Sequence, residues 1–145
     1  MEKKILTDSN KTKIKVSSTL KGSKDYLKEN ILDNNPQTSW YSDQGKFQYI
    51  YLFFENKINF NEIDLTFDGG FSPKEIEIYV SENNEFENKK PSMKMIKNFE
   101  VLDSNKEQIF LFDNYIEGIQ TIKILCKKFV DLYGRIIVYN LKVKG

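Results

Sequence analysis

Hydrophobic and polar residues alternate along most of the chain after residue 46, which is the period-two pattern of β-strands. The first run, Phe47 to Phe54, is apolar on both faces, as in a strand covered on both sides. Seven or eight strands at this spacing predict a single all-β domain over residues 1–145, a β-sandwich or jelly roll. The further runs are 58–67, 76–80, 93–102, 108–112, 119–126 and 135–143, with turn sequences at 68–70, 103–105 and 113–114.

One short helix is predicted before the strands begin. Ser23 can cap its first turn, and Leu27 and Ile31 lie four residues apart, on one face of a helix. The helix is expected to end near Leu32, because Pro36 and the polar residues before it do not continue a helix well. The expected architecture is therefore a jelly-roll sandwich with one short N-terminal helix.

The composition argues against several classes of function. With 22 basic and 21 acidic residues, the net charge of +1 gives no indication of nucleic acid or an anionic membrane as a partner. The chain contains no histidine, so no Ser-His or Cys-His catalytic pair can be built. The acidic residues are scattered among lysines, which is typical of solvated charges rather than of a two-carboxylate hydrolase. A non-enzymatic protein is predicted.

Cysteine usage and hydropathy predict an intracellular protein. Cys126 is the only cysteine and ends the apolar run 122–126, so we expect a buried thiol and no internal disulfide. The first residues form no apolar signal core, and no window of the chain approaches the length of apolar sequence that spans a membrane. These features predict a cytoplasmic or nuclear protein that is not secreted.

Two aromatic residues at loop positions allow both a structural and a functional interpretation. Trp40 is the only tryptophan and stands where a loop meets a strand. Its indole either plugs one end of the sandwich, with its N–H bonded to a carbonyl, or forms a ligand platform; the first interpretation is favoured. Phe71 lies at a turn tip, where the ring is either tucked under the loop or displayed to a partner.

Arg135 is the only arginine in a chain that otherwise uses lysine. Its planar guanidinium can hold a carboxylate through two parallel hydrogen bonds, which lysine cannot do. Asp43, Asp68 and Asp131 are the candidate partners within the chain, and an external ligand or partner protein is the alternative. An internal ion pair is favoured.

Residues 33–40 combine turn formers with oxygen-bearing side chains. Asp33, Asn35, Gln37 and Thr38 could offer oxygens to calcium, which takes about six to eight of them. Alternatively, Asp33 and Asn35 brace the turn through side-chain to backbone hydrogen bonds. Bracing is favoured, because no second carboxylate is evident in this segment.

Several motifs resemble those of a known family. Residues 33–40 resemble the Asp-Gly-x-x-x-Thr-x-Trp signature of discoidin, or coagulation-factor C-type, domains, and residues 133–143 look like their closing strand. A closer similarity, over nearly the whole chain, is to a family of small intracellular discoidin-like proteins that includes a nuclear-receptor-associated repressor. The resemblance implies a galactose-binding-domain-like jelly roll. The motifs that carry it are Val16-Ser17-Ser18, Ser42-Asp43-Gln44-Gly45, Gly69-Gly70-Phe71-Ser72 and Tyr133-Gly134-Arg135.

The resemblance further implies that the loops at 42–45, 69–72 and 131–135 form one contact surface for a protein partner. Phe71 and Tyr133 would be its apolar anchors, and the polar side chains beside them would give specificity. The residues predicted to contact the partner are Trp40, Ser42, Asp43, Gln44, Phe71, Ser72, Asp131, Tyr133 and Arg135.

A carbohydrate-binding module that uses the same loops is the alternative function. A sugar site needs an exposed aromatic platform beside hydrogen-bonding side chains. Trp40, Tyr41 and Tyr133 are the candidate platforms. If all three rings are buried in the fold, this alternative loses its basis.

The resemblance also bears on metal binding. Calcium-binding members of the family would place ligands at Asp33 and Thr38, and they use a glutamate on the last strand as well. The position that matches this glutamate is Asn140, which carries no charge. No cofactor is therefore predicted, and calcium is expected to have little or no effect on the melting temperature.

Overall fold

The alternating sequence folds into seven β-strands in the computed structural model, which describes residues 2–145. Every pairing between these strands is antiparallel. The strands are β1 (Lys13–Val16), β2 (Trp40–Tyr41), β3 (Gln48–Phe67), β4 (Pro73–Ser81), β5 (Lys94–Glu100), β6 (Gln108–Phe129) and β7 (Ile137–Lys144).

Strands β3 and β6 are long enough to belong to both layers of a sandwich. The first half of β3 pairs with β1 and with the second half of β6, whereas its second half pairs with β7 and with the first half of β6. Register shifts between Phe53 and Glu62 mark the bend where β3 passes from one layer to the other. Layer one has the order β1-β3-β6-β4-β5, and layer two has the order β6-β3-β7-β2. The predicted all-β sandwich is confirmed.

Two pairs of predicted strands are halves of single long strands. Apart from Phe47, the runs 47–54 and 58–67 fall in β3, and the runs 108–112 and 119–126 fall in β6. The turn predicted at 113–114 is wrong, because backbone pairing with β3 continues on both sides of it. The polar residues there are exposed, so their polarity reflects contact with water rather than a chain reversal.

The hydrophobic core lies between the two layers and is filled by alternate residues of the strands. Ile50 and Leu52 from the first half of β3 and Ile63 and Leu65 from its second half are completely buried. Cys126 is buried among them, and this burial raises the pKa of its thiol to about 12. The cysteine therefore behaves as the small hydrophobic residue that its sequence context predicts.

The short helix predicted near the N-terminus is reduced to a single 3₁₀ turn, Lys28–Ile31. The Ser23 hydroxyl does accept a hydrogen bond from the Tyr26 N–H at 3.1 Å, but Leu27 has extended backbone angles and stays outside the turn. Ile31 is the buried residue of this turn, and one buried residue does not stabilise a longer helix. Within residues 2–145, no helix is long and apolar enough to cross a membrane.

Candidate binding loops

Three loops that leave different strands meet at one end of the sandwich. Each of them contains one of the sequence motifs singled out above. They are loop A (residues 42–47, between β2 and β3), loop B (68–72, between β3 and β4) and loop C (130–136, between β6 and β7).

Backbone hydrogen bonds fasten the three loops to one another. The Gly45 N–H of loop A donates to the Tyr133 carbonyl of loop C at 3.0 Å. The Val130 N–H of loop C donates to the Ser72 carbonyl of loop B at 3.1 Å. The fold therefore brings together the three segments that were predicted to form a surface.

Ser42 connects loop A to loop C from a buried position. Its backbone N–H donates to the Ile136 carbonyl at 3.0 Å, and its hydroxyl accepts the Ile136 N–H at 2.8 Å. The same hydroxyl donates to the Asp43 carbonyl at 2.9 Å. Because the side chain is fully engaged and buried, Ser42 supports the loops and offers no group to a partner.

Gln48, which was not predicted from the sequence as a functional residue, connects loops A and C by hydrogen bonds from below. Its Nε2 donates to the Asp43 carbonyl at 2.7 Å and to the Gly134 carbonyl at 2.9 Å, and its Oε1 accepts both the Ser17 and the Ser18 hydroxyls. The amide is 1% exposed and all of its hydrogen-bonding capacity is used. The sequence could have revealed this role, because Gln48 shares the inward-facing alternation of Ile50 and Leu52, and a polar side chain on a buried face needs buried hydrogen-bond partners.

Gly134 lets loops A and C approach more closely than any side chain would allow. Its φ is +74°, and a Cβ atom there would lie 1.8 Å from the Gly45 carbonyl oxygen. The close contact excludes other residues at this position without movement of the backbone, and the positive φ would add strain for a residue with a Cβ atom.

Arg135 forms its ion pair with Asp131, one of the three aspartates considered above. Nε lies 2.9 Å from Oδ2, and Nη2 lies 3.0 Å from Oδ1, so the pair is bidentate. Oδ2 also accepts the backbone N–H groups of Tyr133 and Arg135, at 3.2 and 3.1 Å. The guanidinium hydrogen bond holds the pKa of Asp131 below its ordinary value. The favoured internal partner is therefore present, and it makes loop C rigid.

The guanidinium of Arg135 also covers aromatic rings. Its central carbon lies 5.5 Å from the ring centroids of both Phe71 and Tyr133, within the range of cation–π contacts. Phe71 is half-buried beneath the guanidinium, so its ring is closer to being tucked under the loop than to being displayed to a partner. Tyr133 is 63% exposed and Leu132 beside it is 95% exposed. The prominent apolar groups of the three loops are therefore Leu132 and Tyr133 of loop C, together with Phe47 of loop A, which is 56% exposed.

Trp40 lies in the core and not on the surface. The indole is completely buried, and its Nε1 donates to the Ser18 carbonyl at 3.0 Å, as in the plug that the sequence favoured. Tyr41 stacks on Tyr26 with ring centroids 3.8 Å apart. Because it is buried, Trp40 presents no face to a ligand. Of the three rings proposed as sugar platforms, Tyr133 alone is more than half exposed.

Loop B is braced by the turn that precedes β6. The Ser72 hydroxyl and the Gly70 N–H both donate to Oδ1 of Asp103, at 3.2 and 2.7 Å, and the Gly69 N–H donates to Oδ1 of Asn105. Ser72 is completely buried, so it contributes to the shape of loop B rather than to its contact surface.

In loop A, Asp43 is partly exposed and Gln44 is exposed, so these two polar residues remain accessible.

The segment at Asp33 and Thr38 does not fit a calcium ion. The two oxygens of the Asp33 carboxylate accept the Asn35 N–H, at 2.9 Å, and the Thr38 hydroxyl, while Oδ1 of Asn35 accepts the Gln37 N–H at 3.0 Å. This is the bracing role that the sequence favoured. Residues 2–145 contain no group of three or more His, Cys, Asp or Glu side chains arranged to hold a metal. Calcium prefers several carboxylate and carbonyl oxygens, and this segment offers one carboxylate that is already engaged.

The comparison with known families agrees with this architecture. The family model described as F5/8 type C domain matches residues 13–135, which is most of the chain. The chain belongs to the F5/8 type C domain family. The resemblance of its motifs to discoidin domains is therefore confirmed.

Relatives of this F5/8 type C domain have similar length. The zebrafish (Danio rerio) protein named Nuclear receptor 2C2-associated protein is 35% identical over 137 residues, which cover 94% of this chain and 92% of the relative. Among solved structures, the family 32 CBM of Clostridium perfringens NanJ in complex with galactose is similar with a TM-score of 0.79 at 14% identity, covering 99% and 100% of the two chains. An F5/8 type C domain from Bacteroides fragilis gives a TM-score of 0.79 at 10% identity, covering 98% and 95%. At these identities the structures establish the shared fold alone.

Proposed function

We propose that this F5/8 type C domain is a non-enzymatic protein-interaction module whose partner binds at loops A and C. The observation that carries the proposal is the exposed pair Leu132 and Tyr133 at the tip of a rigid loop. Large apolar and aromatic side chains that water surrounds in the free protein are typical anchors of protein interfaces.

The rigidity of loop C supports this proposal. Asp131 receives four hydrogen bonds from the loop, two from backbone N–H groups and two from Arg135, and Gly134 packs against Gly45. A loop that is already ordered loses little conformational entropy when it binds, so more of the contact energy appears as affinity.

The proposed roles divide the predicted residues, together with Leu132, into three groups. Leu132 and Tyr133 are the apolar anchors, and Phe71 contributes the edge of its covered ring. The polar rim consists of Asp43, Gln44 and Arg135, all of which keep exposed or partly exposed atoms. The supporting residues are Trp40, Ser42, Ser72 and Asp131, which shape the loops from below.

The relatives support a protein partner over other ligands. Their name, Nuclear receptor 2C2-associated protein, describes association with another protein, and they match this chain over most of both lengths. We propose that the partner of this chain is likewise a protein, met in the cytoplasm or the nucleus.

Site-specific photo-crosslinking tests the proposal directly. A photoreactive phenylalanine analogue at Leu132 should crosslink a partner in cell extract, whereas the same analogue at the exposed Ile109, in layer two, should not. The partner should then be lost from L132A/Y133A in pull-downs and retained by the matched exposed pair I109A/L111A. Identical partner sets for the two double variants would contradict the proposal.

A carbohydrate-binding function is the second candidate, and one observation favours it. The structure of the family 32 CBM, which has the same fold, contains galactose. Tyr133 is the one candidate platform that is largely exposed in this chain, and it lies beside Arg135. Calorimetric titration with galactose tests this function. Binding that disappears in Y133A would support it, and the absence of heat at millimolar galactose would exclude galactose as the ligand.

A further inference from the structure

The outer face of layer one carries a ladder of lysines and tyrosines. The strand register places Lys15 of β1 opposite Tyr51 of β3, Tyr51 opposite Lys123 of β6, and Lys123 opposite Tyr79 of β4. These residues alternate with the buried core residues of their strands, so their side chains share the outer face. Loops A, B and C do not contribute to this row.

Lys123 is held by aromatic rings instead of by an acidic partner. Its Nζ lies 5.7, 5.5 and 5.3 Å from the ring centroids of Tyr49, Tyr51 and Tyr79. Within residues 2–145, no carboxylate oxygen lies within 4.0 Å of this Nζ and it donates no hydrogen bond. Partial burial lowers the pKa of Lys123. The rings thus fix an ammonium group whose N–H donors lack partners in the described chain.

Lys15 is held in a similar way. Its Nζ lies 4.4 Å from the ring centroid of Phe86 and 5.6 Å from that of Phe53, and it donates to the Phe86 carbonyl. Lys13, two residues earlier on the same face, lies 4.5 Å over the Phe86 ring. Both lysines of β1 therefore lie beside the Phe86 ring.

A groove of about 610 Å³ opens beside this ladder. Tyr49 and Tyr51 line it, together with residues 27–29 and with Asn88, Lys89 and Pro91. Its lining includes the three cations Lys15, Lys28 and Lys89 and the single acid Glu29. The groove therefore carries an excess of positive charge on a chain whose overall charge is close to zero.

The other acidic residues near the ladder are already engaged. The Glu77 carboxylate lies 3.2 Å from Nζ of Lys127 and accepts the Tyr79 hydroxyl at 2.9 Å. Glu85 is buried and accepts a hydrogen bond from the Asn88 amide at 2.9 Å. Neither carboxylate lies within 4.0 Å of Nζ of Lys15 or Lys123, although the charge of Glu77 opposes the lowering of the Lys123 pKa. The positive charge of Lys15, which lines the groove, is therefore available to a ligand.

We propose that this groove binds an extended acidic segment of a partner protein, independently of loops A to C. Charge complementarity identifies the ligand, because three lysines face one acid, Glu29, in the lining of the groove and none of the three lysines forms a salt bridge in the described chain. Lys13 and Lys15, two outward residues of β1, lie about 7 Å apart, which is the repeat of alternate side chains in an extended peptide; Lys15 lines the groove and Lys13 lies beyond its lining. Bases or sugars would stack on ring faces, and Nζ of Lys123 already lies 5.7 and 5.5 Å from the ring centroids of Tyr49 and Tyr51, on one side of each ring.

Fluorescence anisotropy with a labelled synthetic peptide tests the proposal. The peptide has about eight residues with glutamate at alternate positions, and the control peptide has glutamine at the same positions. The acidic peptide should bind the wild-type protein, more weakly as salt is added, while the control peptide should not. K15Q/K123Q should weaken binding about tenfold or more. K57Q/K106Q, two exposed lysines that line no part of the groove, should leave binding unchanged.

Further variants keep the proposal falsifiable if K123Q disturbs folding. K15Q/K28Q/K89Q changes side chains that line the groove without touching Lys123, and it should also weaken binding. E29K removes the single acid and should strengthen binding. The loop variant L132A/Y133A should bind the peptide as the wild type does, which separates this proposal from the function proposed above. Absence of wild-type binding, equal binding by all variants, or tighter binding of a single-stranded oligothymidylate would overturn the proposal.

Discussion

The side chain of Gln48 connects its strand to Gly134, 86 residues later in the chain, through a 2.9 Å hydrogen bond from Nε2 to the Gly134 carbonyl oxygen. The same nitrogen donates to the Asp43 carbonyl at 2.7 Å, so one amide fixes the distance between loops A and C. The positions of Leu132 and Tyr133 depend on this connection, because both belong to loop C.

Replacement of Gln48 by methionine should destabilise the protein by about 2–4 kcal/mol, because the similar volume leaves no large cavity but orphans the hydrogen-bonding groups that surround it. The melting temperature should fall by about 2–4 °C for each kcal/mol. Equilibrium unfolding in urea measures the effect. Gln44→Met, at an exposed position of the same loop, is the matched control and should change stability by less than about 0.5 kcal/mol. Equal stability of the two variants would show that the buried amide contributes nothing.

Gly134→Ala should disrupt the junction of loops A and C, since the new Cβ would meet the Gly45 carbonyl oxygen at 1.8 Å. Gly118→Ala is the control, because Gly118 also has a positive φ, +68°, but nothing lies within 4 Å of its added Cβ. Gly118→Ala should cost about 1 kcal/mol from backbone strain alone. The free energy of unfolding should fall substantially more for Gly134→Ala. A similar loss for both variants would mean that strain, and not the close approach of the loops, constrains Gly134.

Much of the fold could be predicted because most strands bury one face in the core and expose the other, which gives a period-two pattern of apolar and polar residues. The period-two runs at 76–80 and 93–102 correspond to β4 and β5, whose ends the structure places at 73–81 and 94–100. Strand β1 was missed because Lys13–Val16 contains only two apolar residues, too few for a periodic signal.

The candidate site was harder to predict, because it depends on contacts between distant segments. The sequence named three aspartates as partners for Arg135, and only the folded loop shows that Asp131 meets it with both oxygens. The exposure of Leu132 has no local signature, since a leucine in a loop is as often buried as displayed. The meeting of the three loops was predicted from resemblance and not from the residues themselves.

Asp33→Ala should destabilise the turn by about 1 kcal/mol whether or not calcium is present, because its carboxylate accepts the Asn35 N–H and the Thr38 hydroxyl. The wild-type melting temperature should be equal, within about a degree, in calcium and in chelator. Differential scanning fluorimetry in both buffers measures the two effects. An upward shift of several degrees with calcium, lost in Asp33→Ala, would contradict the bracing role and restore a metal site.

The ion pair of Asp131 and Arg135 should give stability that depends on pH in the acid range. The folded-state pKa of Asp131 is lowered by the Arg135 hydrogen bond, so this contribution is present above the unfolded-state pKa and is lost as pH falls through the folded-state value. Asp131→Asn should therefore be less stable than the wild type at neutral pH, and the two should converge in acid. Melting curves across the acid range test this. A constant difference at every pH would show that the charge of Asp131 is not involved.

Asp64 should give the opposite pH dependence. Burial, and then the neighbouring Glu62 carboxyl, raise the pKa of Asp64 to about 6, although Lys144 lies 2.7 Å away and opposes the shift. Because the folded state then binds this proton more tightly than the unfolded state, stability should rise as pH falls from 7 through about 6 toward the unfolded value of 3.8. Asp64→Asn should lack this rise and melt at a higher temperature than the wild type at pH 7, with the difference fading near pH 4. Asp113→Asn, at an exposed position, is the control and should reproduce the wild-type dependence of melting temperature on pH. If Asp64→Asn melts below the wild type at pH 7, the ion pair with Lys144 stabilises the fold by more than the burial of the charge destabilises it.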